Sequence, residues 1–376
     1  MSTKNVLEYT REELEQLSTE ELEKLYIEAE QGKDEYNTLQ LVNKVLINSL
    51  YGALANPGFI LFNESIAASI TGNGRYFIQK VSNYVEKELQ EKFPSSKSYI
   101  IYNDTDSFYY QIDSVVKKYK QNNPEISLEE EIDFCDRFSE KFIQPIIDKC
   151  VDDFAYELNA YDKSHIGAKK EIIADVAVFC AKKKYYARVR DSEGTRYPLD
   201  APKIKIMGLE LAKSTTPKFT QDKLNQAINI ILDKSEKDLK DFVKTCKEEF
   251  TKVPLTDIAA VGGVSNIDYD LEKDKGIPFG AKAAICFNKY IQENNLTNIY
   301  TKIQSGDKTK RLFLRQPNKF GTEIIAFTSN EFAEKELKPY IDYDTNFEKN
   351  FMQPLNLMVE SLDYRIDQET EVLDDW

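Results

Sequence analysis

An α+β fold is predicted for this chain of 376 residues on three observations. The stretch 99–112 reads Tyr-Ile-Ile-Tyr-Asn-Asp-Thr-Asp-Ser-Phe-Tyr-Tyr-Gln-Ile. Two aromatic, β-rich runs flank a short polar turn there, which is a hairpin signal. A second strand pair is predicted over 176–190, interrupted by Lys182, Lys183 and Lys184. Long amphipathic helical patterns stand before, between and after these two strand pairs.

Composition limits the functions available. Hydrophobic residues make up 41% of the chain and charged residues 30%, the balance of a soluble globular protein. No run approaches the roughly 18 apolar residues that a membrane helix needs. The opening Met-Ser-Thr-Lys-Asn leads into charged sequence and does not read as a secretory signal. Five cysteines, at 135, 150, 180, 246 and 286, form no Cys-x-x-Cys pair and fit reduced thiols in a cytosolic protein. A single histidine, His165, counts against zinc sites and histidine triads. The net charge is −14, but residues 1–40 carry −7 and residues 331–376 carry −9, so 41–330 is about +2. A near-neutral middle with local basic clusters can still hold a phosphate backbone.

The elements follow in order. Thr10-x-x-Glu13 and Ser18-x-x-Glu21 are capping boxes, each opening a short helix within 10–31. A longer helix is predicted from about Asn37 to Leu54, with Leu41, Val45, Leu46 and Leu50 as its apolar face and Asn56-Pro57-Gly58 as its stop. Another helix spans about 65–91. Residues 127–158 are helical, with Phe134, Phe138, Phe142, Ile146 and Phe154 spaced as core. Lys205-Ile-Met-Gly208 ends a strand, and a domain boundary falls near Ser214-Thr-Thr-Pro217. Residues 218–252 are helical, 257–280 loop-rich, 278–291 helical, 300–328 a strand-containing insert and 347–362 a last amphipathic helix before an acidic tail.

Three clusters carry candidate chemistry. Asp104 and Asp106 stand at the bend of the first hairpin, between strands expected to be buried. Their hard oxygens suit Mg²⁺, which takes one or two carboxylates and fills its shell with water and phosphate; the alternative is an Asx turn on a surface hairpin. Lys44, Asn48 and Tyr51 share one side of the long helix, and Gly52 follows them. A helix glycine costs about 1 kcal/mol and favours close approach by another backbone or a ligand. Lys182, Lys183 and Lys184 beside Tyr185 and Tyr186 are either a solvated turn or a phosphate-backbone contact with aromatic support.

Taken together, Lys44-x-x-x-Asn48-Ser49-x-Tyr51-Gly52, Asp104-Thr105-Asp106-Ser107, Ala181-Lys-Lys-Lys-Tyr185 and Lys205-Ile-Met-Gly208 form an ordered set. Ser214, Pro217, Pro278-Phe279, Phe320-Gly321 and the stretch 351–355 continue it. From about residue 10 onward the chain resembles the C-terminal part of family B DNA polymerases, the T-even-type bacteriophage replicative enzymes most closely. That resemblance implies a palm with an antiparallel sheet and packed helices, a helical fingers segment and a mostly helical thumb. Residues 1–56 would be fingers, 57–213 palm and 214–362 thumb, with 363–376 an acidic tail.

By the same resemblance Lys44 would meet the incoming triphosphate. Asn48, Tyr51 and Gly52 would line the nucleotide site, and Asp106, with Asp104 as the auxiliary carboxylate, would ligate two Mg²⁺ ions. Lys182, Lys183, Lys184, Tyr185 and Lys205 would hold primer–template DNA. Leu373 and Trp376 would anchor a sliding clamp, the alternative being an acidic terminus without fixed structure. Asn103 stands where the family has a glycine, and its tolerance of left-handed backbone is expected to preserve the turn. Nothing in 1–43 resembles the family's other metal carboxylate motif, Asp-x-x-Ser-Leu-Tyr-Pro. The expectation is therefore one subunit of a split DNA polymerase in the cytoplasm of a phage-infected host, inactive without an N-terminal partner that carries the exonuclease and the other aspartate. A non-catalytic primer–template-binding module or an inactive remnant is the alternative.

Overall fold

The computed structural model describes residue 9 and residues 11–14, 16–160, 167–267 and 276–366. It is mixed helix and antiparallel sheet, as an α+β fold requires. Two compact units divide it, Met1–Pro124 with Lys141–Ala168 and Glu125–Glu140 with Lys169–Trp376. Among the described residues, no helix is long and apolar enough to cross a membrane.

The first unit opens with α1 (Arg11–Leu14) and α2 (Thr19–Leu54). Ser18 caps α2 through the predicted box: its side chain accepts from the Glu21 N–H, and Glu21 Oε2 accepts from the Ser18 N–H at 2.9 Å. The other predicted cap, Thr10, and His165 lie outside the described residues. The two helices expected over 18–54 are one helix of 36 residues, about 54 Å long. Gly32 lowers its propensity by about 1 kcal/mol but supplies no stop. α2 buries no residue. The face expected to pack, Leu41, Val45, Leu46 and Leu50, is between 53% and 62% exposed.

Asn63 caps α3 (Glu64–Lys92), which buries Ile78, Val81, Val85 and Leu89 along one stripe. Then come β1 (Ile100–Asp104), β2 (Ser107–Tyr110) and α4 (Asp113–Asn122). α5 (Leu128–Phe138) belongs to the second unit, and α6 (Gln144–Glu157) returns to the first after a π-turn at Ser139–Ile143. α6 packs on α3, where Lys80 meets Glu157 at 2.5 Å and Phe77 meets Phe154 at 5.1 Å between ring centres. Of the phenylalanines expected as core over 127–158, only Phe154 is fully buried; Ile143, Ile147 and Val151 are the buried residues of the first unit there, and Ile132 is buried in the second. The π-turn inserts an extra residue into the helical ladder and rotates the stripe by about one position.

In the second unit β4 (Lys184–Ser192) is the middle of an antiparallel sheet, flanked by β3 (Ile172–Ala181) on one side and by β5 (Thr195–Arg196) and β6 (Lys203–Met207) on the other. Its interior holds ion pairs that sequence reasoning missed. Arg190, 4% exposed, donates to Asp175 at 3.0 Å, and Arg188 Nε donates to the same carboxylate at 2.9 Å. Beyond the sheet come α7 (Lys218–Asp233), α8 (Glu236–Phe250), α9 (Leu255–Ile258), β7 (Ala260–Gly263) and α10 (Phe279–Glu293). β8 (Lys308–Phe313) and β9 (Ile324–Phe327) follow, and helical segments fill 330–362. β7 lies where a loop was expected. Gly262 and Gly263 fall in the stretch read as loop-rich, yet both are paired in register with Thr309 and Lys308 of β8. One core, with Phe250, Phe287, Phe327, Phe332 and Phe351 at its centre, holds these helices and strands together.

Candidate functional site

The acidic hairpin forms as the sequence predicts. β1 and β2 pair antiparallel with Tyr102 opposite Tyr109, Asn103 opposite Phe108 and Asp104 opposite Ser107, so Thr105 and Asp106 make a two-residue turn. Thr105, with φ of 52°, takes the left-handed position in the turn. That is a departure from expectation: Asn103 lies within β1, and its Nδ2 donates to the buried Ser82 Oγ of α3 at 3.2 Å. The strands are not the buried pair that was expected, since every residue of the hairpin is at least partly exposed. A two-stranded ribbon with a helix on one side has too few neighbours to bury both faces.

The turn is tied by local bonds. The Asp106 N–H donates to the Asp104 carbonyl at 2.6 Å, and Thr105 Oγ1 donates to Asp104 Oδ1 at 3.0 Å. Asp104 is half-buried and Asp106 exposed at the tip. The bend thus carries two acidic side chains two residues apart, Asp104 and Asp106. No group of three or more metal-ligating residues occurs among the described residues. The pair therefore fits Mg²⁺ as a partial donor set, with the remaining positions open to water, phosphate or another carboxylate.

Glu86 of α3 fixes where the hairpin starts, and sequence reasoning missed it. Its Oε2 accepts the N–H groups of Tyr99 and Ile100, each at 2.8 Å, and the Ser98 hydroxyl at 2.9 Å. Burial raises its pKa, but hydrogen bonds from Gln90, Ile100, Ser98 and Tyr99 outweigh that and hold the carboxyl below its ordinary 4.5. A lowered folded pKa gives stability that is complete above the unfolded value and is lost as pH falls through the folded one. The Tyr99 and Ile100 amides are thus expected to lose hydrogen-exchange protection, beyond the intrinsic rate change, as pH falls below the ordinary carboxyl value of 4.5. Glu86→Gln should abolish that step, and protection that falls with acid no faster in the wild type than in Glu86→Gln would dismiss the anchor.

The second cluster lies on α2. Lys44, Asn48, Tyr51 and Gly52 are all exposed, and helical rise spaces the first three by about 6 and 4.5 Å along one side. A Cβ added at Gly52 would meet no atom within 4 Å, so nothing in the described chain occupies the approach that this glycine leaves open.

The third cluster belongs to the second unit. Lys182 and Lys183 form the β3–β4 turn, and Lys184 opens β4 opposite Ala181. Lys183 takes a positive φ of 62°. Gly208, just after β6 and itself at φ +65°, lies so close that a Cβ there would stand 2.1 Å from the Lys183 carbonyl oxygen. Lys182 and Lys183 are exposed and Lys184 half-buried. Tyr185 differs from expectation: it is 5% exposed, with its ring 5.3 Å from that of Phe179. It holds the strand from inside and has no face to offer a nucleic acid. Tyr186, fully buried, donates to the Met358 carbonyl at 3.1 Å. Lys205 is half-buried, and its ammonium is engaged by Glu171 at 2.9 Å, which offsets the charge expected to hold a phosphate. Leu373 and Trp376 lie outside the described residues.

The family model for DNA polymerase family B matches residues 20–128, a span that holds both the α2 cluster and the acidic hairpin. The chain is 30% identical over 362 residues, 92% of its length, to the DNA-directed DNA polymerase of Escherichia phage RB69. It is 30% identical over 377 aligned residues, 94% of its length, to the DNA-directed DNA polymerase of Enterobacteria phage T4. A shorter match, 32% identical over 100 residues, covers 25% of this chain and 10% of DNA polymerase 1 of Sulfolobus acidocaldarius. The α+β fold and these matches define the class: the chain belongs to the family B DNA polymerases. Within that family it is T-even-like. It spans about two fifths of the length of the two phage relatives, 39% and 40% respectively.

Proposed function

We propose that this chain supplies the nucleotide-binding fingers helix, the acidic palm hairpin and the thumb of a DNA-directed DNA polymerase. Residues 1–56, 57–213 and 214–362 take those roles in turn. The observation that carries the reading is the Asp104-Thr105-Asp106 turn, set in a chain that aligns almost end to end with phage polymerases. Lys44 offsets charge on the departing pyrophosphate from a helix face that is open to solvent. Asn48, Tyr51 and Gly52 border the nascent base pair, where the open side of Gly52 leaves room for it. Asp106, with Asp104 beside it, holds metal; when bound, two Mg²⁺ ions favour attack by the primer 3′-hydroxyl and stabilise the leaving oxygens. The protein's own share is positioning and electrostatics.

In this reading the remaining metal carboxylate and the exonuclease come from a partner polypeptide, and synthesis needs both chains. The exposed apolar residues of α2 and of the turn after it support such a cover: Leu39, Leu46, Ile47, Ile60 and Leu61 are all more than half exposed. The complex would work in the cytoplasm of a phage-infected host and could engage a sliding clamp through Leu373 and Trp376. The test is a tagged pull-down from native cells, followed by primer extension with each chain alone and together. A stoichiometric partner and extension only from the pair support the reading. Extension by this chain alone would overturn the need for a second polypeptide.

The lysine turn gives a separate expectation. Replacing Lys183 and Lys184 by alanine should weaken binding to every primer–template alike and reduce the salt slope of log K by about 1.8, at about 0.9 per phosphate contact. An unchanged slope would return the turn to solvent.

A further inference from the structure

Arg311 is a half-buried cation with an uncommon seat. It stands on β8, and its guanidinium lies over β7 and the first turn of α10. A Cβ on Gly262 would stand 1.6 Å from Nη2, and one on Gly280 would stand 2.7 Å from Nη1. Neither glycine has a positive φ, so what each supplies is room. Burial pulls the Arg311 pKa below its ordinary value, and no carboxylate among the described residues opposes it. A desolvated guanidinium without a counter-ion is costly, and the positive end of a helix beside it adds to that cost. An anion relieves both.

The surroundings suit one kind of anion. Phe313 and Arg315 follow Arg311 at alternate positions, opposite the buried Leu312 and Leu314, so the three share one side of the chain. A cavity of about 540 Å³ opens at the Phe313 and Arg315 end of that side, with Arg311 next along the strand and outside its lining; Phe279, Phe313, Arg315, Glu323, Asp342 and Lys349 border it among others. The Phe279 and Phe313 rings are 5.9 Å apart at 49°, and Lys349 Nζ stands 5.5 Å from the Phe313 ring. Phe279 is 49% exposed, so its face is accessible. The two carboxylates are already engaged. Glu323 meets Lys282 at 3.4 Å, while Asp342 accepts from the Thr345 N–H at 3.0 Å and from its hydroxyl at 2.8 Å. Aromatic faces with cations beside them are the chemistry that takes an unpaired base and its phosphate.

We propose that Arg311 in its Gly262–Gly280 cradle, together with the Phe279–Phe313 cavity, is a subsite for one nucleotide of single-stranded DNA, the phosphodiester at Arg311 and the base against the rings. The proposal rests on the polymerase reading and adds a single-strand contact in the region assigned to the thumb. Bases in a duplex are paired and cannot enter the cavity, which is why a single strand is the occupant.

The test titrates the full chain, in its native complex, with a labelled oligo-dT and with a blunt duplex of equal length. Arg311→Gln should weaken oligo-dT binding about tenfold near 0.1 M salt and lower the salt slope by about 0.7, the single-strand value for one phosphate contact. Phe279→Ala should weaken it about fivefold or more with the slope unchanged. Gly262→Ala need only push aside the flexible tip of Arg311, so it should keep the wild-type melting temperature and still reproduce part of the Arg311→Gln loss. Wild-type oligo-dT affinity and slope in Arg311→Gln and Phe279→Ala, with the Lys183/Lys184 loss intact, would overturn the subsite and leave the polymerase reading standing. A loss seen only with the duplex would overturn it too. A wild-type complex that binds neither DNA would bring down both.

Discussion

Asp106→Asn is expected to reduce Mg²⁺-dependent primer extension by the complete polymerase on the order of a thousandfold, the scale on which electrostatic stabilisation of a transition state is lost. Primer–template affinity and melting temperature should stay near wild type. The structure makes this substitution clean. Asp106 is exposed at the tip of a two-residue turn, and its backbone N–H, which asparagine retains, makes the bond to Asp104 that shapes the bend. Only the negative charge is removed, and exposed substitutions of that kind usually move stability by less than about 0.5 kcal/mol. Asp104→Asn should cost less activity and more stability, because Asp104 is half-buried and one of its oxygens already accepts from Thr105. Single-turnover extension, read beside DNA binding and thermal melting, separates the two. Extension that survives Asp106→Asn would remove Asp106 from the metal site.

Gly208→Ala should have the largest effect of any small substitution in the second unit, on the order of 3 kcal/mol. A left-handed backbone costs a non-glycine residue about 1–2 kcal/mol, and Gly208 stands at φ +65°. The rest comes from contact. The added methyl would be 2.1 Å from the Lys183 carbonyl oxygen, a backbone atom in a tight turn that is itself at positive φ, so it cannot swing aside as a side-chain tip can. The turn must move, and Lys183 and Lys184 move with it. Gly194→Ala is the matched control, since Gly194 has φ +84° and nothing within 4 Å of its added Cβ. It should show the backbone cost alone and bind DNA normally. Urea midpoints and salt slopes for both variants check this; if Gly208→Ala is no worse than Gly194→Ala in either measure, the contact does not position the lysines.

Local sequence determined a good deal here. The aromatic runs around Asp104-Thr105-Asp106-Ser107 dictated a hairpin, because alternation and turn chemistry act over a few residues. Ser18 and Glu21 dictated the start of α2, and Pro278 the start of α10, for the same reason. The ordered motifs from Lys44 to Gly208 carry the family resemblance by themselves. What the sequence left undecided depends on partners distant along the chain. Whether Leu41, Val45, Leu46 and Leu50 are covered cannot follow from their spacing, which gives an apolar face but not a neighbour. That Lys205 is engaged by Glu171, and that Tyr185 turns inward onto Phe179, depends on how strands 172–181 and 203–207 flank β4. Glu86 looks like any surface acid of a helix until α3 brings it to the amides of Tyr99 and Ile100. Gly262 reads as a loop residue, and only the register of β7 on β8 reveals that it makes space for Arg311. Propensity and capping are short-range forces and are written in neighbouring residues, whereas burial, charge pairing and steric room arise when distant segments meet.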